Sequence, residues 1–412
     1  MFKRIPGTKD ILPEEAGGWQ AIEKTSRETF SLYNYKEIRT PLIEEAALFN
    51  RTLGNSTEIV QKQMFLIHNQ EDLYALRPEG TASIVRSYIE NNLDKEEGFV
   101  KLYYIGPMFR MERPQKGRLR QFHHIGCEAI GSQDAALDTE IIGMAKRLLD
   151  NLSIGGYSIK INSLGCSRDK EKLSLSLKES LEKEKDNLCQ DCRLRLENNV
   201  LRILDCKNEN CRKIVDKIDT GHSTLCPECR EHFDKVTSGL DSLGVHFTVE
   251  PRLVRGLDYY NRTVFEITHA SLGSQDAIGA GGRYNNLVSQ LGGPDAGGIG
   301  FAFGVERLIL ASPDEKAEET KAAPVYLVAL GDKAKAAGIK ILDRLRSSGI
   351  KCDTDYLGKS LKASMRRAND AGARYVLILG DNELENGNIS VKDMAQGTQK
   401  ETKIENLNEE LK

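Results

Sequence analysis

The alternation of hydrophobic and polar positions predicts a long β-hairpin over residues 103–131, YYIGPMFRMERPQKGRLRQFHHIGCEAIG. Pro114 and Gly117 supply the turn at its tip. Successive side chains on a strand point to opposite faces, and one face of this hairpin is unusually polar. Its members are Arg110, Glu112, Arg120, Phe122, His124 and Glu128. Such a face suits a ligand with phosphates and a flat base, or else it is a solvated surface with ion pairs.

Helical spacing of apolar residues predicts helices over residues 19–32, 82–91 and 137–152. Thr81 is expected to cap the second of these helices. Glu79 and Thr81 would then lie in a turn where backbone N–H groups are exposed.

Composition changes over residues 167–244, where charged helical segments alternate with cysteines, and this change predicts an inserted module. Strand-like sequence resumes at residues 246–253 and 263–268. Residues 312–324, SPDEKAEETKAAP, are rich in charge, Ala and Pro, which predicts a linker. The expected division is a discontinuous domain over 1–166 and 245–311, the module over 167–244, the linker over 312–324, and a last domain over 325–412.

The last domain alternates buried-strand patterns with helical patterns. This order predicts a small α/β domain with a mainly parallel sheet. The strands are predicted at 325–331, 351–356 and 375–380, and the helices at 333–347 and 361–371.

The chain has 412 residues, of which 39% are hydrophobic and 29% are charged, as in ordinary soluble globular proteins. Its net charge of −3 provides no overall basic field, so any contact with nucleic acid depends on local patches. The first residues, MFKRIPGTKDILPEE, contain no apolar run of the signal-peptide type, and no stretch is long enough to span a membrane. We therefore expect a cytoplasmic protein without membrane contact.

Two glycine-rich segments, residues 279–288 and 292–310, match neither the dinucleotide-binding fingerprint nor the P-loop. Their glycines either let the backbone approach a ligand or serve packing alone. Arg110, Arg255 and Arg307 lie beside glycine-rich or aromatic sequence, where an unpaired guanidinium would be costly. A triphosphate would pair with all three. The alternative is pairing with the internal carboxylates of Glu79, Glu112 and Glu306.

Six of the nine cysteines fall between Cys189 and Cys229. This clustering favours a metal site over a disulfide framework, which is typical of short secreted chains. The pairs Cys189-x2-Cys192 and Cys226-x2-Cys229 are spaced like a four-cysteine zinc site, and free thiols are the alternative. Other candidate ligands are Cys206, Cys211 and His222.

Five segments carry a resemblance to a known family. They are GTKDILP near the start, LRPEGTA at residues 76–82, FRMERPQKGRLRQF in the hairpin, LVRGLDYYNRTVFE at residues 253–266, and GAGGRYNNLV with GFAFGVERL. With these segments the chain resembles the histidyl-tRNA synthetases, a family of class II aminoacyl-tRNA synthetases. The resemblance implies an α+β catalytic core with an antiparallel sheet flanked by helices, a homodimer formed through the segment around Pro41, and a C-terminal α/β anticodon-binding domain.

The resemblance also implies a reaction in two steps, with ATP as a substrate and Mg²⁺ as the assisting ion. L-Histidine and ATP give histidyl-adenylate and pyrophosphate, and the histidyl group then passes to the 3′ end of histidine tRNA. Because a carboxylate attacks the α-phosphorus, the protein must position two anions and neutralise charge on phosphate oxygens. The alternative is a synthetase-like regulatory subunit that binds histidine without catalysis. Such proteins erode the LVRGLDYY run and lose the C-terminal domain, and this chain keeps both.

The implied catalytic residues are three arginines. Arg110 would hold the α-phosphate and the histidine carboxylate, and Arg307 would hold the far end of the triphosphate. Arg255 would reach the α-phosphate from the opposite side, a role that other class II enzymes give to a metal. The other implied ATP contacts are Glu112, Arg118 and Phe122, of which Phe122 would stack on adenine.

The implied histidine site contains one carboxylate for the α-ammonium of the amino acid and another for its imidazole ring. Glu79 and Thr81 would bind the α-ammonium, while Glu128 and Tyr260 would read the two imidazole nitrogens. Buried partners of this kind select histidine because an amino acid without the ring would leave them unpaired. The remaining implied contacts are Gly80, His124, Arg255 and Tyr259 for histidine, and Arg113 and Gln115 for the extra 5′ guanosine of histidine tRNA.

Two positions depart from the usual family pattern. His124 stands where the family usually has Gln, and Asn285 stands where it usually has Asp. A neutral His124 can accept a hydrogen bond from the α-ammonium of the substrate, whereas a protonated one would repel it. We hypothesise that His124 is neutral and functional.

Four basic residues fall near one helical face of the last domain: Lys359, Lys362, Arg366 and Arg367. By themselves they indicate a solvated face more than an RNA contact. The family resemblance favours the RNA contact, which would make tRNA affinity fall with added salt.

Overall fold

The computed structural model describes residues 2–54, 57–273, 276–313, 325–357 and 360–411. The chain divides into two compact units, Met1–Glu315 and Lys316–Lys412. Most of the predicted linker lies outside the described residues, and so does Lys359. Among the described helices, none is long and apolar enough to cross a membrane.

The helices of the first unit are α1 (Pro13–Leu32), α2 (Ala46–Leu53), α3 (Thr81–Glu90), α4 (Leu93–Glu96), α5 (Ala135–Asn151), α6 (Ser167–Glu182), α7 (Gln190–Asn198), α8 (Glu209–Val215), α9 (Pro227–Ser242), α10 (Leu287–Gln290) and α11 (Val305–Ala311). Its strands are β1 (Lys36–Glu37), β2 (Ile43–Glu45), β3 (Phe65–Asn69), β4 (Asp72–Leu76), β5 (Val100–Phe109), β6 (Gln121–Ile130), β7 (Tyr157–Ser163), β8 (Thr248–Val249), β9 (Asn261–His269), β10 (Ala277–Arg283) and β11 (Gly298–Gly304).

An eight-stranded sheet organises the first unit, with the strand order β1-β5-β6-β11-β10-β9-β7-β8. Only the outer pairs β1 with β5 and β7 with β8 are parallel, so the sheet is mixed but mostly antiparallel. Strand β11 lies between β6 and β10 and joins the two halves of the sheet. Strands β2, β4 and β3 form a separate small sheet.

The predicted hairpin is confirmed as β5 and β6, which pair from Val100 opposite Ile130 to Phe109 opposite Gln121. Both strands stop earlier than the sequence pattern suggests. Arg110 follows the first strand and Arg120 precedes the second, and the two residues are still joined by a backbone hydrogen bond of 2.9 Å. The arginines and Glu112 therefore lie in the connecting loop and not on strand faces.

The main hydrophobic core lies between the large sheet and helices α1, α5 and α9. Helix α9 contributes Phe233, Val236 and Leu240, so the last helix of residues 167–244 shares the core of the sheet. Helices α6, α7 and α8 form a smaller core of their own around Leu177 and Ile203.

Two local predictions are corrected. Residues 246–253 form a strand only at Thr248–Val249. Helix α3 begins at Thr81, and its first amides are capped by the Glu79 carboxylate and not by the Thr81 hydroxyl. A carboxylate can accept from two N–H groups at once, which favours Glu79 in this role.

The second unit contains α12 (Asp332–Ser347), α13 (Leu361–Asp370), α14 (Asp381–Glu385), α15 (Leu407–Glu410), β12 (Val325–Ala329), β13 (Cys352–Thr354), β14 (Tyr375–Leu379), β15 (Asn388–Asp393) and β16 (Gln399–Lys403). Its sheet has the order β13-β12-β14-β15-β16. The first three strands are parallel, which confirms the predicted βαβαβ order, and the last two are antiparallel. On α13, Lys362 and Arg366 are exposed, whereas Arg367 pairs with Asp355 at 2.7 Å.

A fully buried ion pair fixes β10 to the start of α5. Arg283 donates to Asp138 Oδ2 from Nε at 2.7 Å and from a terminal nitrogen at 2.6 Å. The same guanidinium also donates to the carbonyl oxygens of Ser132 and Asp134. Asn285 Oδ1 accepts from it at 3.2 Å, so the Asn285 departure lies in this network and not in a ligand site.

We expect Arg283→Met to lower the free energy of unfolding by about 3–5 kcal/mol, because it leaves the Asp138 carboxylate buried without its partner. Urea denaturation measures the change. Lys146→Met, which removes a surface pair with Asp150, is the control and should cost less than about 1 kcal/mol. Equal effects of the two substitutions would contradict the prediction.

Candidate active site

One cavity of about 820 Å³ gathers nearly all the residues expected to bind histidine and ATP. It is bounded by the hairpin, the turn before α3, the loop before β9, and the junction of β11 with α11. The expected residues that line it are Glu79, Thr81, Arg110, Glu112, Arg118, Phe122, His124, Glu128, Arg255, Tyr259, Tyr260 and Arg307.

Gly80 does not line the cavity but packs behind it. A Cβ added to Gly80 would lie 2.5 Å from the ring of Tyr104. Gly80 therefore lets the turn that carries Glu79 and Thr81 approach Tyr104, which itself lines the cavity.

Glu79 is buried at the N-terminus of α3. Its two oxygens accept from the backbone N–H groups of Thr81 at 2.7 Å and Ala82 at 2.9 Å. Burial raises the pKa of this carboxyl, while the two amides and the charge of Arg110 oppose the rise. The carboxylate is thus held by the backbone in a fixed direction.

Glu128 is a second buried carboxyl, 1% exposed, on β6. It accepts from the Thr81 hydroxyl at 2.7 Å and from the Tyr284 hydroxyl at 2.6 Å. Burial raises the pKa of Glu128 to about 8, against the lowering effect of these two hydrogen bonds. Gly300 lies opposite on β11, where an added Cβ would fall 1.9 Å from a Glu128 oxygen. Only glycine leaves space for the carboxyl at this place.

Arg110 and Arg118 converge on Glu112. Arg118 Nε lies 3.0 Å from one Glu112 oxygen, and an Arg110 terminal nitrogen lies 3.8 Å from the other. The Arg110 guanidinium also covers the ring of Phe122, at 5.4 Å from its centroid. Two cations therefore share one carboxylate, which leaves net positive charge in this part of the cavity.

The other two catalytic candidates differ in their partners. Arg255 donates at 2.6 Å to Glu266, which is not one of the three carboxylates expected as internal partners. Arg307 donates to the carbonyl oxygens of Gly117 and Ala277, and no described carboxylate lies within 4 Å of it. Burial, and then the charge of Arg118, lower the pKa of Arg307. Arg307 is therefore the guanidinium most in need of an anionic ligand.

Of the carboxylates weighed as internal partners, only Glu112 pairs with a candidate arginine. Glu79 caps α3, and Glu306 accepts from the His123 backbone at 3.0 Å. The polar face of the hairpin is consequently not a self-satisfied set of surface ion pairs.

His124 is half-buried beside Phe122, with ring centroids 5.1 Å apart. Burial, with the charges of Arg110 and Arg307, lowers the pKa of His124 to about 3. Its Nδ1 atom has no partner among the described residues. A pKa this low favours a neutral ring near physiological pH, and the ring holds a polar atom without a described partner inside the site.

Arg113 and Gln115 lie apart from the cavity just described. They line a neighbouring cavity of about 660 Å³ together with Glu58, Lys62 and Gln63. Arg113 and Gln115 at the hairpin tip therefore line a different cavity from the residues on the hairpin strands.

Several residues of the site were missed from the sequence. Glu266 lies on β9 and lines the cavity, whereas Tyr284 follows β10 and contributes through its hydrogen bond to Glu128. Both residues lie inside segments that carry the family resemblance, and this location was the signal in the sequence that could have identified them. Asp205 also lines the cavity but belongs to residues 167–244, and no spacing pattern connects it with the hairpin.

The predicted four-cysteine site is wrong in its ligands, because the two C-x2-C pairs lie in different groups. The first cluster consists of Cys189, Cys192, Cys206 and Cys211, and the second cluster consists of Cys166, Asp169, Cys226 and Cys229. Each C-x2-C pair opens a different helix, α7 or α9, and the chain folds other ligands towards each helix start. His222 belongs to neither cluster and contacts Asp234 at 2.8 Å.

The raised pKa of Glu128 makes stability depend on pH. Below about pH 4.5 the carboxyl is protonated in both the native and unfolded states, and the unfolded chain loses the proton first as pH rises. The free energy of unfolding should therefore fall between about pH 4.5 and about pH 8. Glu128→Gln should remove this contribution, which is at most about 1.4 kcal/mol per pH unit.

Urea denaturation at several pH values measures the difference between the wild type and Glu128→Gln. Glu179→Gln, on the exposed side of α6, is the matched control and should follow the wild type. Parallel pH curves for wild type and Glu128→Gln would show that Glu128 does not hold its proton in the native state.

Comparison with known proteins agrees with this geometry. Residues 7–308 match the family model for histidyl-tRNA synthetase, and residues 324–412 match that for an anticodon binding domain. The chain is 47% identical over 408 residues to the histidine–tRNA ligase of Halothermothrix orenii, which covers 98% of this chain and 97% of that protein. It is 45% identical over 410 residues to that of Desulforamulus reducens, covering 99% and 98%.

Among solved structures, the apo histidyl-tRNA synthetase of S. aureus is similar, with a TM-score of 0.80 and 36% identity over 100% of both chains. The mixed sheet flanked by helices and the C-terminal anticodon-binding domain agree with this neighbour. This chain belongs to the histidyl-tRNA synthetase family.

Proposed function

We infer that this chain activates L-histidine with ATP and transfers the histidyl group to the 3′ end of histidine tRNA. This is the reaction of an aminoacyl-tRNA ligase, and it forms AMP and diphosphate. The observation that carries the proposal is one cavity that holds two buried carboxyls, Glu79 and Glu128, together with the three arginines expected to be catalytic. These groups complement a zwitterion with a polar ring and a polyphosphate.

The histidine subsite is proposed at the N-terminus of α3. Glu79 and Thr81 receive the α-ammonium, since the Glu79 oxygens are already oriented by backbone amides. His124 adds a neutral acceptor there. Glu128 and Tyr260 bind the two imidazole nitrogens, while Tyr259 and Gly80 shape the wall. An amino acid without ring nitrogens would leave these buried groups unpaired, which costs about 1–3 kcal/mol for each group.

The ATP subsite is proposed around the hairpin loop. Phe122 stacks on adenine, and Glu112 and Arg118 contact the nucleotide. Arg110 binds the α-phosphate and the histidine carboxylate, Arg255 approaches the same phosphate from the other side, and Arg307 binds the far end of the triphosphate. Guanidinium groups fixed before the reaction stabilise charge on phosphate oxygens without reorganisation.

Mg²⁺ bound with ATP supplies further neutralisation of phosphate charge. The carboxylates of Glu112 and Glu266 line the cavity and provide oxygen ligands of the kind that this ion takes. The residues present therefore fit the ion that the family reaction uses.

Further parts of the proposal concern organisation. We propose a catalytic domain over residues 1–166 and 245–311, a helical cysteine-rich module over 167–244, a linker over 312–324, and an anticodon-binding domain over 325–412. The protein acts as a cytoplasmic homodimer that pairs through the segment around Pro41.

Arg113 and Gln115 contact the acceptor end of the tRNA, and the basic residues of α13 contact tRNA phosphates. The module carries structural zinc, whose ligands are considered below.

A regulatory subunit that binds histidine without catalysis is the rival function. It would need the histidine subsite but would have no use for Arg307, which has no described carboxylate partner and faces the same cavity. The intact run LVRGLDYY and the second unit also favour the ligase.

ATP–pyrophosphate exchange, measured with each of the twenty amino acids in turn, tests the function. We expect exchange with histidine alone. Exchange with no amino acid would favour the regulatory subunit, and exchange with a different amino acid would refute the proposed specificity.

Arg255→Ala should lower the exchange rate by about 100- to 1,000-fold, because a fixed cation is lost from the charge that develops on the α-phosphate. Histidine binding should remain measurable by calorimetry, since Glu79 and Glu128 are untouched. Arg147→Ala, an exposed arginine on α5, is the control and should exchange like the wild type. Loss of histidine binding together with exchange would assign Arg255 to the amino acid and not to the phosphate.

A further inference from the structure

Eight side chains of metal-ligand type gather in two groups between residues 166 and 229. Within the first cluster, and again within the second, the ligand atoms lie within 4.8 Å of one another. All seven cysteines involved are free thiols. The sequence pattern predicts one site with four ligands, whereas the structure contains two groups of four ligands, each close enough to bind one ion.

The sulfur spacing fits a metal better than a disulfide. Zinc binds thiolate at about 2.3 Å in a tetrahedron, which places the sulfurs about 3.8 Å apart. The sulfurs of Cys189 and Cys206 are 3.8 Å apart. A disulfide would require about 2.05 Å.

The ligands occupy equivalent positions at the starts of helices. Cys166, Cys189 and Cys226 are the N-cap residues of α6, α7 and α9, and the second ligand of each pair follows three residues later, in the first turn. Cys211 has the same first-turn position in α8. Backbone N–H groups at a helix start stabilise negative charge, as thiolate ligands require. The Cys189 amide donates to the Cys211 sulfur at 3.2 Å.

Asp169 is built into the second cluster in the same way. Its oxygens accept from the backbone amides of Cys166 at 3.3 Å and Cys226 at 3.2 Å. An ionised carboxylate has about four acceptor positions, so two remain for an ion. Gly165 has a φ of +68°, and a Cβ there would fall 2.4 Å from Asp169, so the chain leaves room for this side chain.

We propose that the chain holds two structural zinc ions, one bound by Cys189, Cys192, Cys206 and Cys211, the other by Cys166, Asp169, Cys226 and Cys229. The first site has four sulfur ligands, and the second has three sulfurs and one oxygen. Helices α6, α7 and α8 are strongly charged and share only a small core, so the ions supply cross-links that apolar burial does not.

Residues that adjoin each of the two sites contact the loop before β9. Cys206 directly follows the short 3₁₀ helix Val200–Asp205, from which Arg202 donates to the carbonyl oxygen of Gly256. Asn199, just before that helix, donates to Asp258 at 3.0 Å.

Next to the second site, Lys170 follows Asp169 and donates to the carbonyl oxygens of Asp258 at 3.1 Å and Tyr260 at 2.9 Å. The metal sites thereby position the loop that carries Arg255 and Tyr260. This link rests on the function proposed for Arg255, whereas the metal sites themselves do not.

The metal content of the full chain, purified after growth with zinc and freed of loosely bound ions, tests the sites. Elemental analysis should find two zinc ions per wild-type chain. Cys189→Ser with Cys206→Ser should leave one, and Cys166→Ser with Cys226→Ser should leave the other. His222→Gln should keep two, because His222 lies outside both clusters. Fewer than two ions in the wild type would refute the proposal of two sites. A paired variant that keeps two ions would refute the site to which its two cysteines are assigned.

Cobalt replacement in the wild-type chain gives an answer that does not depend on the folding of variants. Two sets of thiolate-to-cobalt charge-transfer bands, with intensities near four to three, support the two ligand sets. A single Co²⁺ ion per chain would refute the second site.

Removal of zinc by a chelator should lower histidine-dependent exchange by about 10- to 100-fold, with recovery on adding zinc, because the loop loses its position. Unchanged exchange after complete zinc loss would refute the link to the loop and leave the sites standing. Absence of exchange in the zinc-loaded wild type would refute the proposed function, and the metal count would still decide the sites.

Discussion

The structure depends on how it accommodates carboxyl groups that water cannot reach. Burying an ionised carboxylate without partners is prohibitive, so each must gain hydrogen bonds, gain a cation or keep its proton. Glu79 is held by the amides of α3, and Glu128 is held by two hydroxyls. Asp138 is held by the guanidinium of Arg283. These three solutions tie α3, α5, β6 and β10 together, and two of the three carboxyls, Glu79 and Glu128, line the cavity.

The same reasoning explains the division of charge inside the cavity. One end contains buried acids with neutral donors, and the other contains arginines that outnumber their carboxylates. Burial and the neighbouring charge of Arg110 keep His124 neutral. This separation of charge favours one orientation for a ligand with a cationic and an anionic end.

Much of this arrangement could be predicted from the sequence, but not all of it. The hairpin and the βαβαβ order follow from local periodicity, and the residues around the cavity follow from segments that each carry several of them. Partners distant in the chain do not follow. Nothing near Arg255 indicates that Glu266 is its partner, and Asp205 reaches the cavity from residues 167–244.

The cysteines show this limit most clearly. Spacing identified two C-x2-C pairs correctly but joined them into one site, because a sequence does not tell which pair meets which. Cys166 and Asp169 were overlooked since they precede the other cysteines and one of them is not a cysteine. Strands β15 and β16 were missed for different reasons. The alternation in β15 rests on two buried residues, Ile389 and Val391, which is a short signal, and β16 is polar and mostly exposed.

The position of β11 has a consequence for the order in which the protein is made. This strand lies in the middle of the large sheet, between β6 and β10, yet it is the last strand of its unit to leave the ribosome. Without β11, the sheet consists of two halves, and their inner edges, on β6 and β10, have no partner strand. Closing them is a non-local event and therefore slow. Until β11 is added, these two edges are the ones most open to pairing with a wrong strand. The glycine-rich strand β11, which leaves space for the Glu128 carboxyl, is therefore also the strand that completes the sheet.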